Sequence, residues 1–175
     1  EREIMYEHAT RFREKLGYRI VMPVASEDHW QNFLQIAFAV AREERGELLA
    51  LRIHEVPQTL PLAAGFNTEH ERRVLEKIEK AATNKRFNID TRLVAARSIS
   101  ESILETVEAE DGDLLIMGWD GYVNTKGFIF GRKVDVVLRR AKCDLIVVKF
   151  VNLAGIKKVF IPIAVNENPN LRFAG

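Results

Sequence analysis

Along most of this chain, short continuous apolar runs alternate with longer segments in which apolar residues recur every three or four positions. The first kind reads as a strand buried on both faces, the second as a helix with one face inward. Residues 18–24 are such a run, closed by Pro23 and followed by Ala25 and Ser26, with Ser26 placed to cap a helix. Residues 27–45 carry Trp30, Phe33, Leu34, Ala37 and Ala41 on one helical face, and Gly46 marks the stop. The unit recurs: residues 48–53 are an apolar strand, 57–67 a loop, and Thr68-x-x-Glu71 a capping box opening a helix with Val74, Leu75, Ile78 and Ala82 inward. Ile89, Thr91, Leu93 and Ala95 then alternate as a strand, and Ser98-x-x-Glu101 caps a helix bearing Ile99, Ile103, Leu104 and Val107. Residues 114–117 are a short strand. After a glycine-studded loop, Val134, Val137 and Leu138 mark a fourth helix, whose Arg139, Arg140 and Lys142 suit its negative C-terminal end. Residues 144–150 are the last full strand.

Five strands alternating with four helices predict an α/β domain, an open parallel sheet with helices on its faces, because crossovers of this length cannot be hairpins. The pattern alone leaves the sheet order open. Ahead of this domain, Ile4, Met5, His8, Phe12 and Leu16 form an approximate helical stripe ending at Gly17, so residues 1–17 are expected to be a leader helix. Behind it, Lys158-Val-Phe-Ile-Pro-Ile-Ala164 echoes Arg19-Ile-Val-Met-Pro-Val-Ala25. Residues 151–175 therefore read as a linker and the extra strand that would begin a truncated second unit, leaving 18–150 as the main domain.

Composition narrows the function. At 47% hydrophobic and 29% charged the chain has ample apolar surface to fold, and its net charge of +1 provides no global field for nucleic acid or an anionic membrane. The lone Cys143 excludes an internal disulfide, and His8, His29, His54 and His70 stand at no metal-ligand spacing. Glu108, Glu110, Asp111 and Asp113 read as a solvated turn at a helix end, with Asp113 shaping it. The sequence has no membrane-spanning run and no signal peptide at Glu1-Arg2-Glu3, and a soluble, cytoplasmic piece is expected. No Ser-His-acid set, no Cys with a base and no Walker-type Gly-Lys-Ser is present, so the expectation is a protein that is not an enzyme.

In open parallel sheets, ligands sit beyond the carboxyl ends of the strands, where strand order reverses. The richest loop there reads Gly118-Trp-Asp-Gly121-Tyr-Val-Asn-Thr-Lys-Gly127-Phe-Ile-Phe-Gly131-Arg132-Lys133. Gly118 and Gly121 would let backbone amides approach a phosphate, Gly131 would open a helix whose positive end faces it, and Arg132 and Lys133 would add charge. The same glycines also fit a tight turn and a plain helix entry, and spacing does not choose between the two. Trp119 suits stacking on a base or packing within the loop. The loop 57–67, with Leu60, Leu62 and Phe66, suits a lid or a packed connection.

Gly118-x-x-Gly121, nine residues and then Gly131, between a strand and a helix that closes in Arg-Ala-Lys-Cys-Asp-Leu-Ile-Val-Val, resembles the ATP-binding signature of universal stress proteins. The resemblance runs from about Tyr18 to Phe150. It implies a Rossmann-like sheet of order 3-2-1-4-5, ATP or another adenine nucleotide held between the loops after the first and fourth strands with Mg²⁺ as an accompanying ion, and homodimers or tandem units joined along the fifth strand. The residues it assigns to the nucleotide are Pro23, Val24, Ala25, Ile53, Met117, Gly118, Gly121, Gly131, Arg132 and Lys133. This chain departs from the family's ATP-binding members in two places. Ala25 stands where they carry Asp, and Arg132 where they carry Ser or Thr. These changes remove hydrogen bonds of roughly 1 kcal/mol each, and Arg132 offers a charge-assisted one in return. The charged leader followed by Tyr-Arg-Ile-Val-Met-Pro-Val-Ala also resembles the cytoplasmic tails of amino-acid permeases and cation transporters. The expectation is a regulatory nucleotide-binding domain attached to a transporter, with a nucleotide-free association module as the alternative.

Overall fold

The computed structural model describes residues 4–9, 17–25, 27, 29–66, 69–119 and 130–149, with 4–9 and 66 described by backbone alone. Six strands form one sheet: β1 (Ile4–Ala9), β2 (Arg19–Pro23), β3 (Glu47–Glu55), β4 (Ile89–Ala96), β5 (Leu114–Gly118) and β6 (Asp144–Val148), in the order β1-β4-β3-β2-β5-β6. Strands β4-β3-β2-β5-β6 are parallel to one another and reproduce the expected order 3-2-1-4-5. The helices are α1 (Trp30–Glu44), α2 (Glu69–Asn84), α3 (Ile99–Ala109) and α4 (Arg132–Arg140).

Alternation along the strands divides the core in two. Ile20, Met22, Leu48, Ala50 and Ile116 face Phe33, Leu34 and Ala37 of α1 and Val74, Leu75 and Ile78 of α2. Val21, Leu49, Leu51, Leu115 and Met117 face Ile103 and Val107 of α3 and Val134 and Val137 of α4. Helices thus cover both faces, and β2 is buried at every position but its last. Leu138, read from sequence as part of the inward set, is 40% exposed.

Local signals explain most boundaries. Ser98 caps α3, its hydroxyl accepting from the Glu101 amide at 3.4 Å. Helix α1 begins at Trp30, later than residue 27, and its N-cap is His29, whose side chain makes no capping bond. At its other end Arg45 takes the left-handed conformation, φ 52°. Gly46 is needed for a different reason: a Cβ there would meet the Tyr18 carbonyl oxygen at 2.6 Å, on the carbonyl that also accepts from the Glu47 amide at 2.8 Å.

The leader helix is corrected. Residues 4–9 are a strand that pairs antiparallel with β4, from Ile4 opposite Ala96 to Ala9 opposite Arg92. The stripe from Ile4 to Leu16 is only approximately helical, and β4 would otherwise present a row of unpaired backbone groups. The rest of the expected leader and the expected extra strand within 151–175 lie outside the described residues.

The solvated acidic turn is corrected at Glu110, while Glu108 and Asp111 are exposed as expected. Arg19, buried in β2, bonds Glu47 at 2.9 Å and Glu110, and Glu110 also bonds Arg92 of β4. The Glu110 side chain is 9% exposed. Burial alone would lower the Arg19 pKa, but hydrogen bonding and charge from Glu47 and Glu110 outweigh it and raise it above its usual value. Asp113 accepts the Arg19 amide at 2.7 Å, and its own amide donates to the Arg19 carbonyl at 2.9 Å. A polar clamp thus ties the N-terminal ends of β2, β3 and β5 to the middle of β4.

Two outcomes are expected. Glu110→Ala removes the carboxylate that two buried guanidiniums share and should cost about 3–5 kcal/mol in urea unfolding, whereas Glu108→Ala, at the exposed Lys142 pair, should cost less than about 1 kcal/mol. Burial first and Asp144 second raise the Cys143 thiol above its ordinary 9.0 and the Tyr18 phenol above 10.0. Groups raised on folding stabilise below the unfolded value and lose that contribution as pH rises. Unfolding free energy should therefore fall as pH climbs past about 9, and Cys143→Ser should delay the onset.

Candidate functional site

Strand order reverses at β2: the chain steps outward from β2 to β3 and β4, then crosses back to place β5 on the other side. The pairing there is uneven. Between β2 and β5 the ladder consists of Ile20 with Leu114 and Val21 with Leu115. On their outer sides the two strands continue, β2 with β3 as far as Pro23 opposite Leu51 and β5 with β6 as far as Gly118 opposite Val148. Val24 N donates to Leu51 O at 2.8 Å and Trp119 N to Val148 O at 2.9 Å, extending each pairing. The β2–β5 ladder thus ends before Met22 and Ile116, which are fully buried, and the candidate crevice is the ground beyond them, at Pro23 and Val24 on one side and Met117 and Gly118 on the other, at the carboxyl ends where open α/β sheets bind ligands.

The expected residues differ in exposure. Val24 and Met117 are buried, Pro23 and Ile53 half-buried, and Ala25 exposed. Gly118 lies against α1: a Cβ there would meet Phe33 Cζ at 2.6 Å, so packing alone requires the glycine. Gly131 is the N-cap of α4 at φ 97° and ψ 155°, and none of the described residues comes within 4 Å of where a Cβ would stand. That backbone conformation is one L side chains rarely adopt. Gly121 lies outside the described residues.

The charges in the first turn of α4 divide. Arg132 is exposed, whereas Lys133 Nζ bonds Glu55 Oε2 at 3.2 Å and ties the start of α4 to the end of β3. The Asp135 carboxylate is 5% exposed and accepts from the Phe130 amide at 3.1 Å. Trp119 packs edge-on to Phe130, with ring centroids 5.1 Å apart at 85°, and Lys149 Nζ stands 5.2 Å from its ring.

Arg52 was invisible to the sequence reading, which took residues 48–53 as purely apolar. Its guanidinium is buried and donates to Val24 O at 2.7 Å, while Nε bonds Glu71 of α2. His54 Nδ1 stands 3.7 Å from the other Glu71 oxygen. Arg52 thus fixes the carbonyl at the rim of the crevice. The only legible signal was a single charge inside an apolar run, a position that demands a buried partner.

The loop after β3 is packed down only in part, since residues 57–61 are exposed, Leu60 by 49%. Its 3₁₀ turn, Leu62–Phe66, buries Leu62 with Val56 and Ala95, and a Cβ on Gly65 would meet Val56 Cγ2 at 2.6 Å and Ala95 Cβ at 2.7 Å. Of the three apolar residues singled out in this loop, Leu62 is packed and Leu60 exposed, and the Phe66 side chain lies outside the described ones. A groove of about 420 Å³ lies at the opposite end of the sheet, between α3 and α4, where Arg140 bonds Glu101 and Lys142 bonds Glu108. It shares no residue with the crevice. Among the described residues no group of three His, Cys, Asp or Glu could hold a metal ion, and no helix is long and apolar enough to cross a membrane.

Comparison with known proteins points one way. The model of the universal stress protein family matches residues 18–149. A universal stress protein of Methanocaldococcus jannaschii is 26% identical over 144 residues, covering 78% of this chain and 84% of that protein. The universal stress protein of Archaeoglobus fulgidus in complex with dAMP superposes with a TM-score of 0.58 at 14% identity, over 74% of this chain and 96% of that one. An Arabidopsis thaliana family protein with AMP bound gives 0.55 at 12% identity, over 75% and 91%.

The fit of Gly118 against Phe33 is directly testable. Gly118→Ala should cost about 1–3 kcal/mol in urea unfolding, and pairing it with Phe33→Leu should cost measurably less than the sum of the two single changes.

Proposed function

The chain belongs to the universal stress protein family, and from that premise we propose that it is a non-catalytic regulatory domain that takes an adenine nucleotide in the crevice between β2 and β5. The observation that carries this is the early end of the β2–β5 ladder at Val21 and Leu115, which leaves the carboxyl ends of the two central strands parted. In this reading the adenosine lies against Pro23, Val24, Ala25, Ile53 and Met117. The phosphates meet the backbone at Gly118, Gly121 and Gly131, with Mg²⁺ as an accompanying ion. The space that the described residues leave at Gly131 and the exposed Arg132 support the phosphate end, since helix N-termini and guanidinium groups favour anions. Lys133, held by Glu55, adds field more than contact. The dAMP and AMP complexes of proteins with this fold support the ligand class. Attachment to an amino-acid or cation transporter, a cytoplasmic setting and association along β6 rest on the sequence resemblance and complete the reading.

A second reading has a specific observation behind it. Ala25 removes a carboxylate from the rim, and Arg52 already occupies the Val24 carbonyl, which suits a nucleotide-free association module. Calorimetric titration with AMP and with ATP, with and without Mg²⁺ and after acid extraction of any carried nucleotide, separates the two. Binding is expected, with Gly131→Val weakening both ligands by about tenfold or more and Arg132→Ala weakening ATP more than AMP. No heat and no extracted nucleotide would leave the association module standing.

A further inference from the structure

The carboxyl end of β3 overhangs that of β2. β2 ends at Pro23, opposite Leu51, whereas β3 continues through Arg52, Ile53 and His54 to Glu55, a rise of about 13 Å beyond that pairing. Side chains along this overhang alternate between the two faces of the sheet. Leu51 and Ile53 join the core under α3 and α4, so Glu55 falls on that face too, while Arg52 and His54 turn toward Glu71 of α2. Glu55 there meets the start of α4, where Lys133 Nζ bonds its Oε2 at 3.2 Å. β3 flanks β2 and α4 follows β5, so this ion pair joins the two sides of the crevice. With 46% of the Glu55 side chain and 57% of the Lys133 side chain exposed, it adds little to stability and yields readily to a better partner. The backbone of Lys133 is fixed without it: the buried Ser100 of α3 donates its hydroxyl to the Lys133 carbonyl at 3.4 Å, and Asp135 accepts the Phe130 amide at 3.1 Å. Glu55 thus governs where the ammonium stands and not where the helix begins.

With an adenine nucleotide in the crevice, the reading on which this rests, we propose that Glu55 sets the length of phosphate chain the site prefers: it holds Lys133 back from the ligand, so that a nucleoside monophosphate is favoured over a triphosphate. The lysine ammonium is one compact charge, and pairing with the Glu55 carboxylate weakens any pairing with a phosphate oxygen. A monophosphate places its single anionic group at the amides that open α4 and beside the exposed Arg132. The further phosphates of a triphosphate bring more negative charge to a rim where Lys133 is already engaged. The Glu55 carboxylate repels that charge as well. Glu55 therefore acts through Lys133 and is a positioning residue.

Calorimetric titration of the whole chain with AMP and with ATP, both free of Mg²⁺, reads this preference as a ratio of Kd values. Glu55→Gln should tighten ATP by about threefold or more and AMP by less than about twofold. Glu55→Asp keeps the charge and should stay closer to the unaltered ratio. In a Lys133→Met background the gain from Glu55→Gln should shrink, because the freed ammonium is its source. A ratio unchanged by Glu55→Gln, with both ligands still bound, would overturn the proposal and leave the nucleotide site standing, whereas no binding of either ligand to any of these chains removes the site and the proposal together. Should Glu55→Gln fail to fold, Lys133→Met alone decides. Its expected loss of ATP affinity is below about twofold, because Glu55 already holds the ammonium, and a loss of about tenfold would put Lys133 on the phosphates and sink the idea.

Discussion

The central strand is held unequally at its two ends, and the rest of the structure follows from that. At its start, β2 is locked into β3 and β5 by backbone pairing, by the reciprocal bonds of Arg19 with Asp113, and by the Arg19–Glu110–Arg92 network that reaches across to β4. At its finish it keeps β3 and loses β5. Charges buried this deeply are costly unless every partner is in place. The pairing of β2 with β5 ends short of the carboxyl side, where β2 is held instead by Arg52, which reaches Val24 O and Glu71. The crevice is the consequence.

Much of this was legible in the sequence, and the misses share a cause. Elements defined by local period or local capping were read well: the apolar runs of β2, β3 and β5, the inward face of α2, and Ser98 as a cap. Features that need a partner distant in sequence were not. Glu110 looked like part of a solvated turn because Arg19 lies 91 residues away. Arg52 was passed over inside an apolar run because its acceptor, Val24, lies 28 residues back. β1 was read as the start of a helix because Ile4, Met5, His8, Phe12 and Leu16 approximate a helical stripe, whereas its partner β4 lies far along the chain. The candidate site shows the same division. Its positions at strand ends follow from the α/β pattern, whereas the parting of β2 from β5 is a property of long-range pairing that no window of sequence contains.

The rim also differs in charge from the family's ATP-binding pattern. Where a carboxylate would stand there is Ala25, and behind it the Arg52 guanidinium, balanced by Glu71, reaches the neighbouring carbonyl. At the opposite side Arg132 takes the place of a neutral hydroxyl, and the adjacent Lys133 is already drawn toward Glu55. Both changes move the crevice toward positive charge, which suits a ligand whose recognition rests on its anionic end more than on its ribose.

The placement of the buried arginine clamp bears on how such a chain can change over generations. The buried arginine network does not include the candidate site's Ala25 and Arg132, whose exposed side chains contribute little to holding the strands together. Substitutions at those positions are therefore screened for what they bind and hardly at all for whether the chain folds. A lineage can then wander through ligand preferences by single steps, each viable on its own.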